Sequence, residues 1–200
     1  FTACGPDVVR AIRERGGEVF LDLKYHDIPN TVAMASLEAA RLGARLFNLH
    51  ALGGFEMMAT TVTALDREFQ GKERPRVLAV TILTSSTAET LREVGIDLPV
   101  AEMVVKLALL AKKAGIDGVV ASPLELPLIR AACGNDFLIV TPGVRPVFTS
   151  TDDQKRVMTP SEAVAAGADY LVIGRPISTA PDPIKAAVAI VEEIMQVEVW

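Results

Sequence analysis

Short apolar runs alternate with longer amphipathic stretches along the whole of this chain, and that rhythm leaves few folds open. Runs such as VLAVTIL (77–83) and YLVIG (170–174) are apolar on both faces, as strands are when helices cover both sides of a parallel sheet. The opening strand lies in EVFLDLKY (18–25), and further strands are predicted at 45–50, 76–83, 118–122, 137–141 and 170–174. Helices are predicted at 6–14, 31–42, 55–69, 101–113, 124–132, 161–166 and 183–195. Gly43, Gly115, Gly134 and Gly167 stand where helices should stop, because a left-handed C-terminal cap favours glycine. No linker or low-complexity tract interrupts the series, so residues 1–200 read as one α/β domain.

The arithmetic of the repeat narrows the fold further. One helix followed by six strand–helix units suits neither an open sheet nor a closed (β/α)8 barrel, which needs eight strands. The expected fold is therefore a (β/α)8 barrel with six of its eight strands in this chain. The first β-α-β would precede Phe1, and the first helix would follow an absent second strand. A barrel opened in this way would expose two strand edges, an aggregation hazard.

The stretch EVFLDLKYHDIPNT (18–31) carries most of the chemistry. Strand side chains alternate, so Phe20, Asp22 and Lys24 are expected on one face and Val19, Leu21 and Leu23 on the other. Asp27 follows where the strand runs into a loop, and Pro29 is placed to open a helix. Charges on the inner face of an apolar strand are costly unless paired or used. One reading is an Asp22–Lys24–Asp27 ion-pair cluster that satisfies only itself. The other is catalysis, since these residues stand at the C-terminal end of a barrel strand, where such enzymes place their active sites.

In these barrels phosphate is often bound by the loops after strands seven and eight, here those at 137–141 and 170–174. The first enters a long polar loop, 144–158, containing Asp152, Asp153 and Gln154; loops of that length are usually lids or disordered. The second ends in Gly174, which lets a ligand approach the backbone, and Arg175, which offers a fork for phosphate. Both features also have plain readings, a turn and a solvated loop. His50 reads as a hydrogen-bonded pocket residue rather than a metal ligand, as neither it nor His26 has a partner at ligand spacing. Met57 and Met58 read as core. Thr81, Thr84 and Ser122 end strands on the face where substrate would lie.

Some function classes are excluded. A net charge of −5 without a basic block argues against a nucleic-acid surface, so any anionic ligand must be held by local donors. Cys4 and Cys133 form neither a disulfide framework nor a metal spacing. No apolar run is long enough for a transmembrane helix, and no signal peptide is recognisable.

The segments DLKYHDIPNT, NLHALGGFEMM, AVTILTS, DGVVAS, TPGVRP, DDQKRVMTP and YLVIGRPI together resemble the bacterial form of the orotidine 5′-monophosphate decarboxylase family. They occur in that family's order along the whole chain. The resemblance implies conversion of orotidine 5′-monophosphate (OMP) to uridine 5′-monophosphate (UMP) and CO2, in pyrimidine biosynthesis, without metal or organic cofactor. It implies Lys24 as the C6 proton donor, Asp22 beside the substrate carboxylate, and Asp27 contributed across a homodimer interface. Substrate contacts implied are Ile28, Pro29, Asn30, Thr31, Thr84, Arg145, Gln154, Gly174 and Arg175, the last three around the phosphate. Ser122 is implied in reading the pyrimidine amide. The expected setting is cytoplasmic, with no nucleic-acid or membrane partner. The family's first two strands carry an Asp and a Lys that this chain does not contain, which bears on whether these residues alone turn over. Magnesium-dependent sugar-phosphate enzymes of the same barrel superfamily share DxKxxD and form the alternative, as does an inactive phosphate-binding fragment; DIPNT and DQKR favour the pyrimidine enzyme.

Overall fold

The computed structural model describes residues 1–70, 73–146 and 158–196. Along the chain these form α1 (Asp7–Glu14), β1 (Phe20–Tyr25), α2 (Pro29–Arg41), β2 (Leu46–His50), α3 (Gly54–Phe69), β3 (Arg76–Val80), α4 (Ala88–Glu93) and α5 (Val100–Lys113). There follow β4 (Gly118–Val120), α6 (Leu126–Cys133), β5 (Leu138–Pro142), α7 (Pro160–Ala165), β6 (Tyr170–Val172), α8 (Arg175–Ser178) and α9 (Pro183–Met195). The strands hydrogen-bond in chain order, β1 to β6. β1 pairs in parallel with β2, β2 with β3, and β5 with β6. The expected strand–helix alternation is thus present in full. Several strands are shorter than predicted at their C-terminal ends. Thr84, Ser122 and Gly174 therefore lie on the loops just beyond the ladders, where side chains are free to face a ligand. The short helices α4 and α8 were not predicted, because neither is long enough to display a period.

Local sequence accounts for the helix ends. Pro29 occupies the first turn of α2 after Ile28 in extended conformation, where a missing N–H costs nothing. Thr159 opens α7 with a capping box to Glu162, and Asp182 caps α9 by accepting from the Lys185 N–H. The four glycines predicted to end helices all have positive φ, between +79° and +104°.

The chain divides into two compact units, Phe1–Thr81 with Lys106–Val119, and Ile82–Val105 with Val120–Trp200. In the first, β2 is almost wholly buried, and Phe47 and Leu49 share its core with Met57, Met58 and Leu65 of α3 and Leu78 of β3. The two methionines are core, as expected. In the second, Leu126 and Ile129 of α6 are buried, as are Ile139 and Val140 of β5. β2 and β3 run in register from Leu46↔Arg76 to His50↔Val80. β1 against β2 does not: Leu21 pairs with Phe47 and Tyr25 with Leu49, so Asp22, Leu23 and Lys24 together face Asn48. That bulge shapes the candidate site.

Each unit also fixes a strand start with a carboxylate. Asp117, just before β4, accepts from the Val77 N–H at 2.8 Å, Arg74 Nη1 at 2.7 Å and Arg76 Nη1 at 3.2 Å. Asp169, just before β6, accepts from the Ile139 N–H and Arg130 Nη2, both at 2.6 Å. The Asp117 side chain is only 9% exposed, so its removal takes the acceptor from the part-buried Val77 N–H and leaves the largely covered Arg74 with Asp66 as its one carboxylate partner. Asp117→Ala should destabilise the fold by about 2–4 kcal/mol, read as a lower denaturation midpoint at unchanged slope. Asp117→Asn, which keeps an acceptor for the Val77 N–H, should cost less.

Candidate active site

The opening strand brings Asp22 and Lys24 together as the sequence implied, but not by simple alternation. Val19 and Leu21, on the face opposite Asp22, are buried, and Leu23 is partly covered. Lys24, however, has φ +52°, a left-handed conformation that costs a non-glycine residue roughly 1–2 kcal/mol. The strand period therefore breaks at the residue expected to do the chemistry. Strained non-glycine positions of this kind collect at functional sites, where the surroundings hold them.

Lys24 Nζ donates to Asp22 Oδ1 at 2.6 Å. The two side chains are 39% and 48% exposed, and an ion pair so open to solvent adds at most about 1 kcal/mol to stability. Stability alone is a poor reason to hold a lysine in a strained backbone, which weighs against a purely structural pair. Asp27 is not part of it. Among the described residues its carboxylate makes no ion pair, and its Oδ1 accepts from the adjacent Ile28 N–H at 2.6 Å. The three-membered ion-pair cluster is thereby reduced to two, because Asp27 stands beyond the strand end on an exposed turn.

Beneath the pair lies Asn48, which the sequence reading passed over. It is fully buried, its Oδ1 accepts from the Lys24 N–H at 2.8 Å, and its Nδ2 donates to Asp22 Oδ1 at 2.6 Å. The available signal was a lone amide in the otherwise apolar run LFNL, since buried polar side chains need partners. The His26 and His50 rings lie against each other, tilted by 35° with centroids 5.4 Å apart. His50 thus differs from the hydrogen-bonded pocket residue expected: its contact is ring to ring. Burial, then the nearby positive charges of His26 and Lys24, push its imidazole below the usual histidine range, against a weaker opposing pull from Asp22. A Cβ at Gly53 would stand 2.2 Å from Met57 Sδ and 3.3 Å from the His26 ring, so a larger residue there would require the Met57 side chain to shift.

The residues after Asp27 begin α2. Ile28 is 67% exposed, Pro29 is partly covered, and Asn30 and Thr31 are exposed. Asn30 also lines a groove of about 540 Å³ between α2 and α3, with Met34, Leu37, Phe55 and Glu56.

In the second unit, Thr84 and Ser122 line one cavity of about 790 Å³. Thr81, by contrast, is buried. Ser122 Oγ accepts from the Leu124 N–H at 3.3 Å, which fixes its hydroxyl at the mouth of a short helical turn. Glu125, also on that wall, is held above the usual carboxylate range by burial, partly offset by a hydrogen bond with Ser122.

Arg145 directs Nη1 to the Val144 carbonyl at 3.0 Å, while its N–H donates to the Met158 carbonyl at 3.0 Å. The two ends of the polar loop are thus tied together; Gln154, Asp152 and Asp153 lie outside the described residues. Gly174 precedes α8, and a Cβ there would meet nothing within 4 Å, so the chain's own packing does not require glycine. Arg175 is exposed and makes no ion pair among the described residues. Among those residues, no group of three or more His, Cys, Asp or Glu side chains is placed to hold a metal ion.

A family model described as orotidine 5'-phosphate decarboxylase / HUMPS family matches residues 1–190. A protein of Geotalea uraniireducens named orotidine 5'-phosphate decarboxylase is 76% identical over 198 residues, covering 99% of this chain and 82% of that protein. One of the same name from Geobacter sulfurreducens is 77% identical over 195 residues, covering 98% and 82%. The crystal structure of orotidine 5'-phosphate decarboxylase from Lactobacillus acidophilus superposes with a TM-score of 0.83 at 42% identity, covering 95% of this chain and 81% of that one. With parallel strands in sequential order and helices between them, this likeness gives the fold as that of a (β/α)8 barrel, six of whose strands lie in the described residues.

Proposed function

Since the chain belongs to the orotidine 5'-phosphate decarboxylase / HUMPS family, we propose that the site around Lys24 is the catalytic centre of an OMP decarboxylase. The reaction releases CO2 from C6 of OMP and leaves UMP, a step of pyrimidine biosynthesis. The sequence identity to proteins of that name, over nearly the whole chain, favours it over the sugar-phosphate reading. The carrying observation is the Lys24–Asp22 pair, held at 2.6 Å at the end of β1.

The chemistry asks for what this pair offers. When the C6–carboxylate bond breaks, its electron pair stays on C6, and no ring carbonyl lies where it can take up that charge. A fixed ammonium beside C6 stabilises the developing carbanion without reorganising. Lys24 Nζ then delivers a proton, and a C6–H bond replaces the C6–carboxylate bond. Asp22, hydrogen-bonded to Nζ, orients the lysine. Ser122 is assigned to the pyrimidine, Ile28 to Thr31 together with Thr84 and Arg145 to further substrate contacts, and Gln154, Gly174 and Arg175 to the phosphate end. Energy from that remote phosphate can be used to orient the ring. The two units are taken as parts of one barrel domain.

The second part of the proposal is a homodimer with shared sites. It rests on Asp27, which makes no ion pair with its own chain's Lys24, and on exposed apolar side chains nearby. Ile28, Met34 and Phe55 are 67%, 50% and 44% exposed, and the last two border the α2–α3 groove. No described helix is long and apolar enough to cross a membrane, in keeping with the cytoplasmic setting proposed.

The direct test is the fall in orotate absorbance when the enzyme is added to OMP in EDTA. Turnover that persists supports the cofactor-free decarboxylase; turnover only on magnesium repletion, with a sugar phosphate as substrate, would replace it. For the phosphate end, Arg175→Ala should remove a charge-assisted contact of about 1.5–3 kcal/mol, lowering kcat/KM for OMP by roughly 10- to 150-fold. Orotidine without its phosphate should be nearly unaffected, and equal losses on both would remove Arg175 from the phosphate.

A further inference from the structure

We propose that Asn48 is a positioning residue that holds the Asp22–Lys24 pair in its working geometry. The inference rests on the decarboxylase reading and extends it to a residue that need not touch substrate. Three residues of β1 stand opposite Asn48 alone, so the sheet's own ladder does not satisfy the backbone of the bulge. The Asn48 side chain takes the ladder's place: Oδ1 accepts the Lys24 N–H and Nδ2 donates to Asp22 Oδ1. A backbone N–H can only donate, so the amide orientation is chemically forced, with its NH2 toward the carboxylate. One side chain thereby secures the strained backbone of the lysine and the carboxylate that pairs with it.

The surroundings make this grip rigid. Asn48 is fully buried between Phe47 and Leu49, themselves 0% exposed, and β2 is in unbroken register with β3 on its other side. Asp22 and Lys24, by contrast, are about half open to solvent. Solvent-exposed charged groups are therefore anchored to a buried strand, as a preorganised site requires. A misplacement near 1 Å can cost on the order of 100-fold in rate.

The test uses Asn48→Asp, similar in shape, which can still accept from the Lys24 N–H but cannot donate to Asp22. The folded variant should bind UMP within about threefold of wild type, while kcat for OMP falls by about 30- to 100-fold. In an Asp22→Ala background the same substitution should cost no more than about threefold, because the partner it acts through is gone. A merely structural role would lower thermal stability and cost the same in both backgrounds. Asn48→Ala, with circular dichroism to verify the fold, serves if Asn48→Asp does not fold. Unimpaired kcat, an equal loss in both backgrounds, or failure of both variants to fold would overturn the proposal. If wild type itself does not turn over OMP in the same assay, the decarboxylase reading falls and takes this one with it. If wild type turns over and the variants are unimpaired, only the role of Asn48 falls.

Discussion

Lys24→Ala is expected to lower kcat by at least about 1,000-fold. General-acid catalysis alone contributes on the order of 100- to 10,000-fold, and the ammonium also stabilises the C6 carbanion. Alanine should keep the fold, since the Lys24 N–H still reaches Asn48 and the lost ion pair was half exposed. The loss should therefore appear in turnover, with thermal stability nearly unchanged. Binding of UMP should also change little, because the phosphate and pyrimidine contacts are assigned elsewhere. Stopped assays with OMP, beside a melting curve of the same preparation, separate the two. Retained turnover would return Lys24 and Asp22 to the status of a surface pair.

The second large effect concerns Asp27 and the proposed dimer. Asp27→Ala should itself impair turnover severely, although Asp27 makes no ion pair with Lys24 of its own chain. If each site draws Lys24 from one protomer and Asp27 from the other, mixing the two inactive homodimers must create a new kind of site. A heterodimer of Lys24→Ala and Asp27→Ala has one site lacking both groups and one site with both intact. Activity should then recover toward half the wild-type value per heterodimer, after correction for the fraction formed. Were both residues used within one chain, every site in the mixture would stay damaged. Absence of recovery despite demonstrated subunit exchange would refute the shared site. The readout is a ratio of activities, so it does not depend on how severe each single loss proves to be.

What was legible in the sequence followed from repetition and from short-range rules. Strand–helix alternation is carried by many residues at once, so displacing a boundary by one or two positions leaves the pattern intact. Pro29 and Gly43 act on their own backbone neighbours, and such effects need no tertiary contact to be read. Asp22 and Lys24 stood out because charges in an apolar strand are costly enough to need a reason. The placement of Thr84 and Ser122 at the C-terminal ends of predicted strands followed from the same count of repeats.

The tertiary structure decided matters that depend on a partner distant in sequence. The bulge opposite Asn48 exists because β2 lies beside β1, and alternation along β1 by itself foretells a regular strand. Nothing local marks Asp117 and Asp169, which gain their roles only when the Val77 and Ile139 N–H groups are brought against them. His50 reads as a hydrogen-bonded pocket residue, until the fold sets the His26 ring against it. In each case the sequence determined which groups were present and on which element, since local propensity and periodicity are properties of neighbouring residues. Which group each one meets was set only when strands far apart in the chain aligned, because register and burial arise from packing between elements rather than within them.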